Sequence, residues 1–304
     1  MTTQARRLEG EAAAAAVREE VKARVEALRR QHRTAGLAVV QVGNLPASDI
    51  YVRRKIEAAD ALGLFAQLVR IQESDGYPTL LTRIGSLNSD ARIHGFLVQL
   101  PLPDGWDEAY ALRSVNPEKD LDGCHPTNVG RATLGDPNAY WPCTPLGIFE
   151  LLRHYHIPLA GAHAVVVGRS RLVGRPLATI LSQKGVDATV TLCHSRSGDL
   201  ARYTRDADVV VMAAGQPGAL TGDMIREGAV VVDVGVHRVP DPDHPGKTRL
   251  IGDVDEASVA PKAAWLSPVP GGVGPMTVVM LMRNAVTACE RTLGSVPAAE
   301  RGPA

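Results

Sequence analysis

Between residues 10 and 30, Val17, Val21, Val25 and Leu28 recur at helical spacing while Arg18, Glu19, Glu20, Lys22 and Arg24 face the other way. That pattern predicts an amphipathic helix. An apolar run over 36–42, closed by Gly43, predicts a buried strand. Helical spacing returns over 48–62, with Ser48 as the expected N-cap and Gly63 as the C-terminal stop. Further apolar runs over 65–71 and 95–100, the last stopped by Pro101 and Pro103, give a strand–helix rhythm. That rhythm is the signature of a parallel α/β sheet. A short helix is expected around 106–114. The stretch 135–147 (GDPNAYWPCTPLG) is dense in proline and glycine and reads as a boundary. Beyond it a second series begins: strand 164–167, helix 174–184, and strands 188–193, 209–212 and 230–234. A final helix over 277–293 stops at Gly294, and 297–304 reads as a loose tail. The fold class expected is α/β, with two α/β domains.

Composition narrows the class. A chain of 304 residues, 45% hydrophobic and 22% charged, is that of an ordinary globular protein with room for two cores. Lys plus Arg and Asp plus Glu each number 33, so nothing favours nucleic acid or an anionic membrane as partner. No apolar run reaches the roughly 18 residues of a membrane span, and the Arg- and Glu-rich start does not read as a signal peptide. The four cysteines, Cys124, Cys143, Cys193 and Cys289, form no CxxC pair. They read as small buried hydrophobes in a reducing, cytoplasmic setting, with no metal site expected.

The strand at 164–167 runs into Gly168-Arg169-Ser170-Arg171-Leu172-Val173-Gly174 and then a helix. A strand, a glycine turn and a helix N-terminus together make an anion site, here with Ser170 where a GxGxxG motif has its second glycine. Where an NAD-specific fold carries an acid after the second strand, this chain has Cys193-His194-Ser195-Arg196-Ser197. Ser195, Arg196 and Arg169 suit a ribose 2′-phosphate, so the cofactor expected is NADP. Small residues around Gly215 and in Asp233-Val234-Gly235-Val236 suit close approach of a flat ring at strand ends.

Tyr51 and Lys55, four apart, share a helix face. A desolvated lysine can serve as acid or base, and a tyrosine can stack on a planar substrate. Gln99 ends an apolar strand, where its amide needs a partner, and Lys55 is within the choice. Asp122, in Asp120-Leu121-Asp122-Gly123, either caps a turn or presents a carboxylate to adjacent N–H groups of a heterocycle. The segment 268–277, with Pro270, Gly271 and Gly272, makes a shaped loop that leads into a helix.

Six segments in order resemble the bifunctional methylenetetrahydrofolate dehydrogenase/methenyltetrahydrofolate cyclohydrolase family. They are PASDIYVRRK (46–55), HGFLVQLPLP (94–103), PEKDLDG (117–123), PCTPLG (142–147), VVVGRSRLVGRP (165–176) and PVPGGVGPMT (268–277). The resemblance implies Lys55 as the catalytic lysine held by Gln99, Tyr51 stacking on the folate, and Asp122 anchoring the pterin-type ring. It implies Gly168, Arg169, Ser170, Gly174, Ser195, Arg196, Gly215 and Val236 at NADP, and Pro270, Gly271 and Gly272 lining the substrate side.

The same resemblance implies a folate-binding catalytic domain over 1–146 with 277–304 and a Rossmann-type NADP-binding domain over 147–276, with a cleft between them. It further implies tetrahydrofolate derivatives as substrates, a homodimer, no metal, and a place in one-carbon metabolism and purine biosynthesis. His125, beside Asp122, reads as structural. The charged stretch over 236–251 reads as a loop modifying dimer contacts or the adenosine side. Formate ligation is not expected, because the chain has neither the length nor a GxxxxGK[ST] loop. The competing readings are a hydroxy-acid dehydrogenase, a dehydrogenase without cyclohydrolase activity, and a non-catalytic NADP sensor.

Overall fold

A computed structural model describes residues 4–242, 244 and 246–294; the tail expected over 297–304 lies outside the described residues. In chain order the elements begin with β1 (Arg6–Arg7), α1 (Gly10–Arg30), β2 (Gly36–Val42), α2 (Pro46–Leu62), β3 (Phe65–Ile71), α3 (Tyr77–Ser89) and β4 (Gly95–Val98). Then come α4 (Glu108–Arg113), α5 (Pro126–Thr133), α6 (Cys143–His154), β5 (His163–Val167), α7 (Gly174–Leu181), β6 (Thr189–Cys193), α8 (Ala201–Thr204), β7 (Val209–Met212) and β8 (Val230–Asp233). The chain closes with β9 (His237–Pro240), β10 (Thr248–Ile251), α9 (Glu256–Val259), β11 (Trp265–Leu266) and α10 (Val273–Thr292). Two compact units result: one from the stretch ending at Ala14 with Thr144–Thr277, the other from Ala15–Cys143 with the stretch beginning at Val278.

The Ala15–Cys143 unit carries a parallel three-stranded sheet in the order β3-β2-β4. Every residue of central β2 is buried, as a parallel strand covered on both faces must be. Its Ala38, Val40 and Val42 meet Leu80, Ile84 and Leu87 of α3 and Phe96 and Val98 of β4 in one apolar core. The second crossover helix, to which the sequence pattern gave no bounds, is α3. Helix α2 starts two residues before Ser48, with Pro46 in its first turn and no side-chain cap. Proline's fixed φ and missing N–H suit that place, and Gly63 closes the helix at φ 74°. Arg24 and Glu290 form a two-point ion pair at 2.6 and 3.1 Å that ties α1 to α10 within this unit.

The other unit carries a parallel six-stranded sheet in the order β1-β11-β8-β7-β5-β6. The valines of β5, β7 and β8 form its centre, and Val165, Val167, Val210, Met212 and Val231 head its core cluster. Because β5 pairs with both β6 and β7, the strand order reverses at β5. The carboxyl ends of β5 and β7 therefore flank a topological switch point, the general place for a ligand in such sheets.

Several elements differ from the sequence pattern. α6 begins inside the stretch read as a boundary, since Pro145 falls in its first turn, where a missing N–H costs nothing. α10 likewise starts at Val273, four residues early, with Pro275 in its first turn. α7 ends at Leu181, three residues short, before the turn at Gly185 (φ 95°). The expected loop over 236–251 contains an antiparallel hairpin pairing His237–Pro240 with Thr248–Ile251. The residues before Ala14 group with the Thr144–Thr277 unit: Leu8 N donates to Leu266 O, and Gly10 N to Gly271 O at 2.8 Å.

Candidate functional site

In the Ala15–Cys143 unit, α2 and the end of β4 bring Lys55 and Gln99 together across 44 residues of sequence. Lys55 Nζ donates to Gln99 Oε1 at 3.0 Å. Gln99 is fixed at two further points: its backbone N–H donates to Val40 O at 2.8 Å, and its Nε2 to Leu100 O at 2.8 Å. Lys55 is 9% exposed, so its ammonium depends on that partner. Tyr51, one turn earlier on α2, is 40% exposed, an aromatic ring left open to a ligand.

The turn carrying Asp122 is built by its neighbour Asp120. The buried Asp120 carboxylate accepts the N–H groups of Cys124 (3.2 Å) and His125 (2.8 Å) and Nδ2 of Asn128 (2.9 Å). Burial pushes Asp120 up from the ordinary carboxylate range, and these donors oppose that shift. Asp120 thus takes the capping role, leaving the half-buried Asp122 side chain for other contacts. Gly123 has φ 63°, and a Cβ there would lie 2.6 Å from Tyr140 O, so only glycine lets this turn press against 140–142. His125 Nδ1 accepts the Thr127 N–H at the start of α5, and its Nε2 lies 3.2 Å from Arg113 O, a local structural role.

Cys143 is buried beside this turn, its Sγ 3.4 Å from Leu121 O. Burial raises its thiol well above the usual range, the Asp122 charge adds to the shift and the Lys55 charge opposes it. Lys55 and Asp122 therefore lie within electrostatic reach of one buried sulfur. The sequence pattern does not mark Asn128, names Asp120 only as a neighbour of Asp122, and gives Cys143 only as a small buried hydrophobe. The acid pair in Asp120-Leu121-Asp122-Gly123 was the available signal.

In the Thr144–Thr277 unit, Gly168 follows β5 at φ 121°. A Cβ there would lie 2.0 Å from Ala213 O, and one at Gly174 would lie 1.7 Å from Gly168 O. Both glycines are thus required for the turn to close on the β7 loop and on itself. Ser170 Oγ accepts the N–H groups of Val173 (3.1 Å) and Gly174 (3.4 Å) and so caps the entry to α7. Arg169 is exposed beside it. After β6, His194 N donates to Ser197 Oγ and Arg196 N to His194 Nδ1, a turn that leaves Ser195 and Arg196 exposed. The first acid downstream, Asp199, is occupied in accepting the Ala201 N–H at 3.1 Å. The turn therefore offers a cation and hydroxyls, chemistry suited to a phosphate.

Gly215 (φ 69°) and Val236 are exposed after β7 and β8. Gly271 has φ 116°, and Gly272 N donates to Pro268 O at 2.8 Å, closing the loop that contains Pro270. Two buried acids lie beside these loops: Asp233, which the sequence pattern gives only as the first residue of a loop of small residues, and Asp253, which it does not mark. Burial, together with the Asp253 charge, pushes Asp233 up to about 6, against the pull of three backbone N–H donors.

The chain matches two family models. Residues 8–122 match the catalytic domain of tetrahydrofolate dehydrogenase/cyclohydrolase, and residues 142–293 match the NAD(P)-binding domain of the same enzymes. It is 48% identical over 284 residues to the bifunctional protein FolD of Moorella thermoacetica, covering 93% of this chain and 98% of that one. Among solved structures, the FolD methylenetetrahydrofolate dehydrogenase/cyclohydrolase of Campylobacter jejuni superposes with a TM-score of 0.89 at 42% identity, covering 94% of this chain and 99% of that one. The Trypanosoma brucei enzyme, complexed with NADP cofactor and an inhibitor, superposes at 0.90 and 39% identity, covering 95% and 99%. The chain belongs to the tetrahydrofolate dehydrogenase/cyclohydrolase family.

Proposed function

We propose that this chain oxidises 5,10-methylenetetrahydrofolate to 5,10-methenyltetrahydrofolate with NADP⁺ and hydrolyses that product to 10-formyltetrahydrofolate, as an enzyme of one-carbon metabolism. The observation that carries the reading is the Lys55–Gln99 hydrogen bond on the helix face that also bears Tyr51, in a member of this family. Asp122 would anchor the pterin-type ring by accepting from adjacent ring N–H groups, and Tyr51 would stack on it. Gly168, Arg169, Ser170, Gly174, Ser195, Arg196, Gly215 and Val236 would hold the cofactor, with Arg196 and Ser195 at the 2′-phosphate. Pro270, Gly271 and Gly272 would line the substrate side.

NADP⁺ supplies the hydride acceptor for the methylene carbon, a step that rests on placing donor and acceptor face to face. The methenyl carbon is then open to water. As the water oxygen bonds to that carbon, the carbon–N5 bond breaks; Lys55 passes one of the water's protons to N5, the other is released to solvent, the formyl group stays on N10, and Gln99 holds the Lys55 Nζ in place. The domain roles follow the same reading, with folate on the Ala15–Cys143 side and NADP on the Thr144–Thr277 side. Homodimerisation, cytoplasmic residence and a contribution to purine biosynthesis belong to the proposal through family likeness. Among the described residues no helix is long and apolar enough to cross a membrane.

The test is Lys55→Met, assayed for both reactions. Hydrolysis of the methenyl compound falls to the uncatalysed rate and dehydrogenase turnover drops sharply, with the circular dichroism spectrum unchanged. Wild-type rates in that variant would remove Lys55 from the mechanism.

A further inference from the structure

Beneath the cofactor-facing loops lies a buried acid pair, Asp233 and Asp253. Asp253 Oδ2 accepts the N–H groups of Ala214 (2.7 Å) and Gly215 (2.9 Å), and its Oδ1 lies 2.7 Å from His237 Nε2. Asp233 Oδ1 accepts from Gly235 N (3.0 Å) and Asp253 N (2.9 Å), and its Oδ2 from Val254 N (2.9 Å). The Asp233 N–H donates to Ser267 Oγ at 2.7 Å, at the entrance to the Pro268–Gly272 loop. Space around the pair is filled: a Cβ on Gly235 would lie 2.3 Å from Asp253 Oδ1, and one on Gly252 1.8 Å from Asp233 Oδ2. Ala213, the residue before the first of these N–H groups, is the one on which Gly168 closes. Two carboxylates thus join the ends of β7 and β8, the 252–254 segment and the start of the 267–272 loop.

We infer that Asp253, seated on Asp233 and His237, is a positioning residue for the cofactor: it sets the backbone of Ala214 and Gly215 at the nicotinamide side without touching substrate. The inference rests on the NADP reading above. Two buried acids this close would be costly without partners, and their backbone donors offset that cost.

The experiment measures steady-state kinetics with NADP⁺ and methylenetetrahydrofolate varied separately. In Asp253→Leu, both acceptor oxygens are lost, and KM for NADP⁺ rises at least about tenfold while KM for the folate moves less than about threefold. Asp253→Asn keeps one acceptor oxygen of the same reach and restores KM for NADP⁺ to within about threefold. His237→Ala removes only the Oδ1 partner and gives a smaller rise confined to NADP⁺. An unchanged KM for NADP⁺ in Asp253→Leu overturns the inference. So does a parallel loss of every parameter in Asp253→Leu with wild-type kinetics in His237→Ala, which marks a scaffold role only. Failure of the wild-type chain to reduce NADP⁺ at all overturns the functional reading instead, so the two failures are told apart.

Discussion

Replacing Gln99 by leucine removes the acceptor for Lys55 Nζ at 3.0 Å while filling most of the same space. The wild-type glutamine is held by Val40 O through its backbone and by Leu100 O through Nε2, so Oε1 arrives at Lys55 already oriented. A hydrogen bond to a charged group contributes about 1.5–3 kcal/mol. If the whole of that placement is used in the hydrolytic transition state, the rate falls by about tenfold to 150-fold. Tyr51 and Asp122 are untouched, so KM for the folate changes little, a signature of an interaction spent on the transition state rather than on binding. The assay is decay of the methenyl absorption under saturating substrate, with a thermal melt as a control for folding. A folded Gln99→Leu protein that hydrolyses at the wild-type rate would refute the argument that Gln99 holds the working lysine.

Arg196→Ala should raise KM for NADP⁺ by about tenfold and leave KM for NAD⁺ unchanged, because only the 2′-phosphate loses a charge-assisted partner; equal effects on both cofactors would move Arg196 away from the phosphate. Glu290→Gln should cost about 1–2 kcal/mol in urea unfolding, since it removes the charge from a two-point pair whose side chains are only 14–15% exposed and leaves Arg24 with Glu20, at 3.0 Å, as its remaining carboxylate; a change under about 0.5 kcal/mol would contradict this. Asp233, pushed up from 3.8 to about 6, binds its proton more tightly folded than unfolded. Its contribution to stability is therefore fully present below about pH 4 and is lost as pH rises through about 6, worth at most about 3 kcal/mol. Urea melts of wild type and Asp233→Asn should diverge in slope between pH 4 and 7, and parallel slopes would exclude the raised value.

What the sequence disclosed was periodic and local. The valine runs of β2, β5, β7 and β8 announced buried parallel strands, and Gly63 announced the end of α2. The glycine turn after β5 was readable for the same reason, since Gly168 and Gly174 sit where a Cβ cannot. Hidden elements were those whose signals conflict or span long distances. α6 and α10 both open with a proline in the first turn, which reads as a break until the missing N–H is seen to need no partner. β1 is two residues long and owes its place to pairing with β11 from the far end of the chain. Tyr51 and Lys55 could be placed on one helix face, but their meeting with Gln99 needed the β2–β4 pairing. Asp233 and Asp253, twenty residues apart across a hairpin, share no spacing that marks them as a pair.

The central claim, two successive reactions on one folate carbon, is tested most directly by following absorbance after purified protein is mixed with methylenetetrahydrofolate and either NADP⁺ or NAD⁺. The account predicts rapid NADPH formation, slower reduction of NAD⁺, and decay of the methenyl absorption faster than its spontaneous hydrolysis. NADPH formation with persistent methenyl compound would contradict the second reaction, and no reduction of either cofactor would contradict the account as a whole.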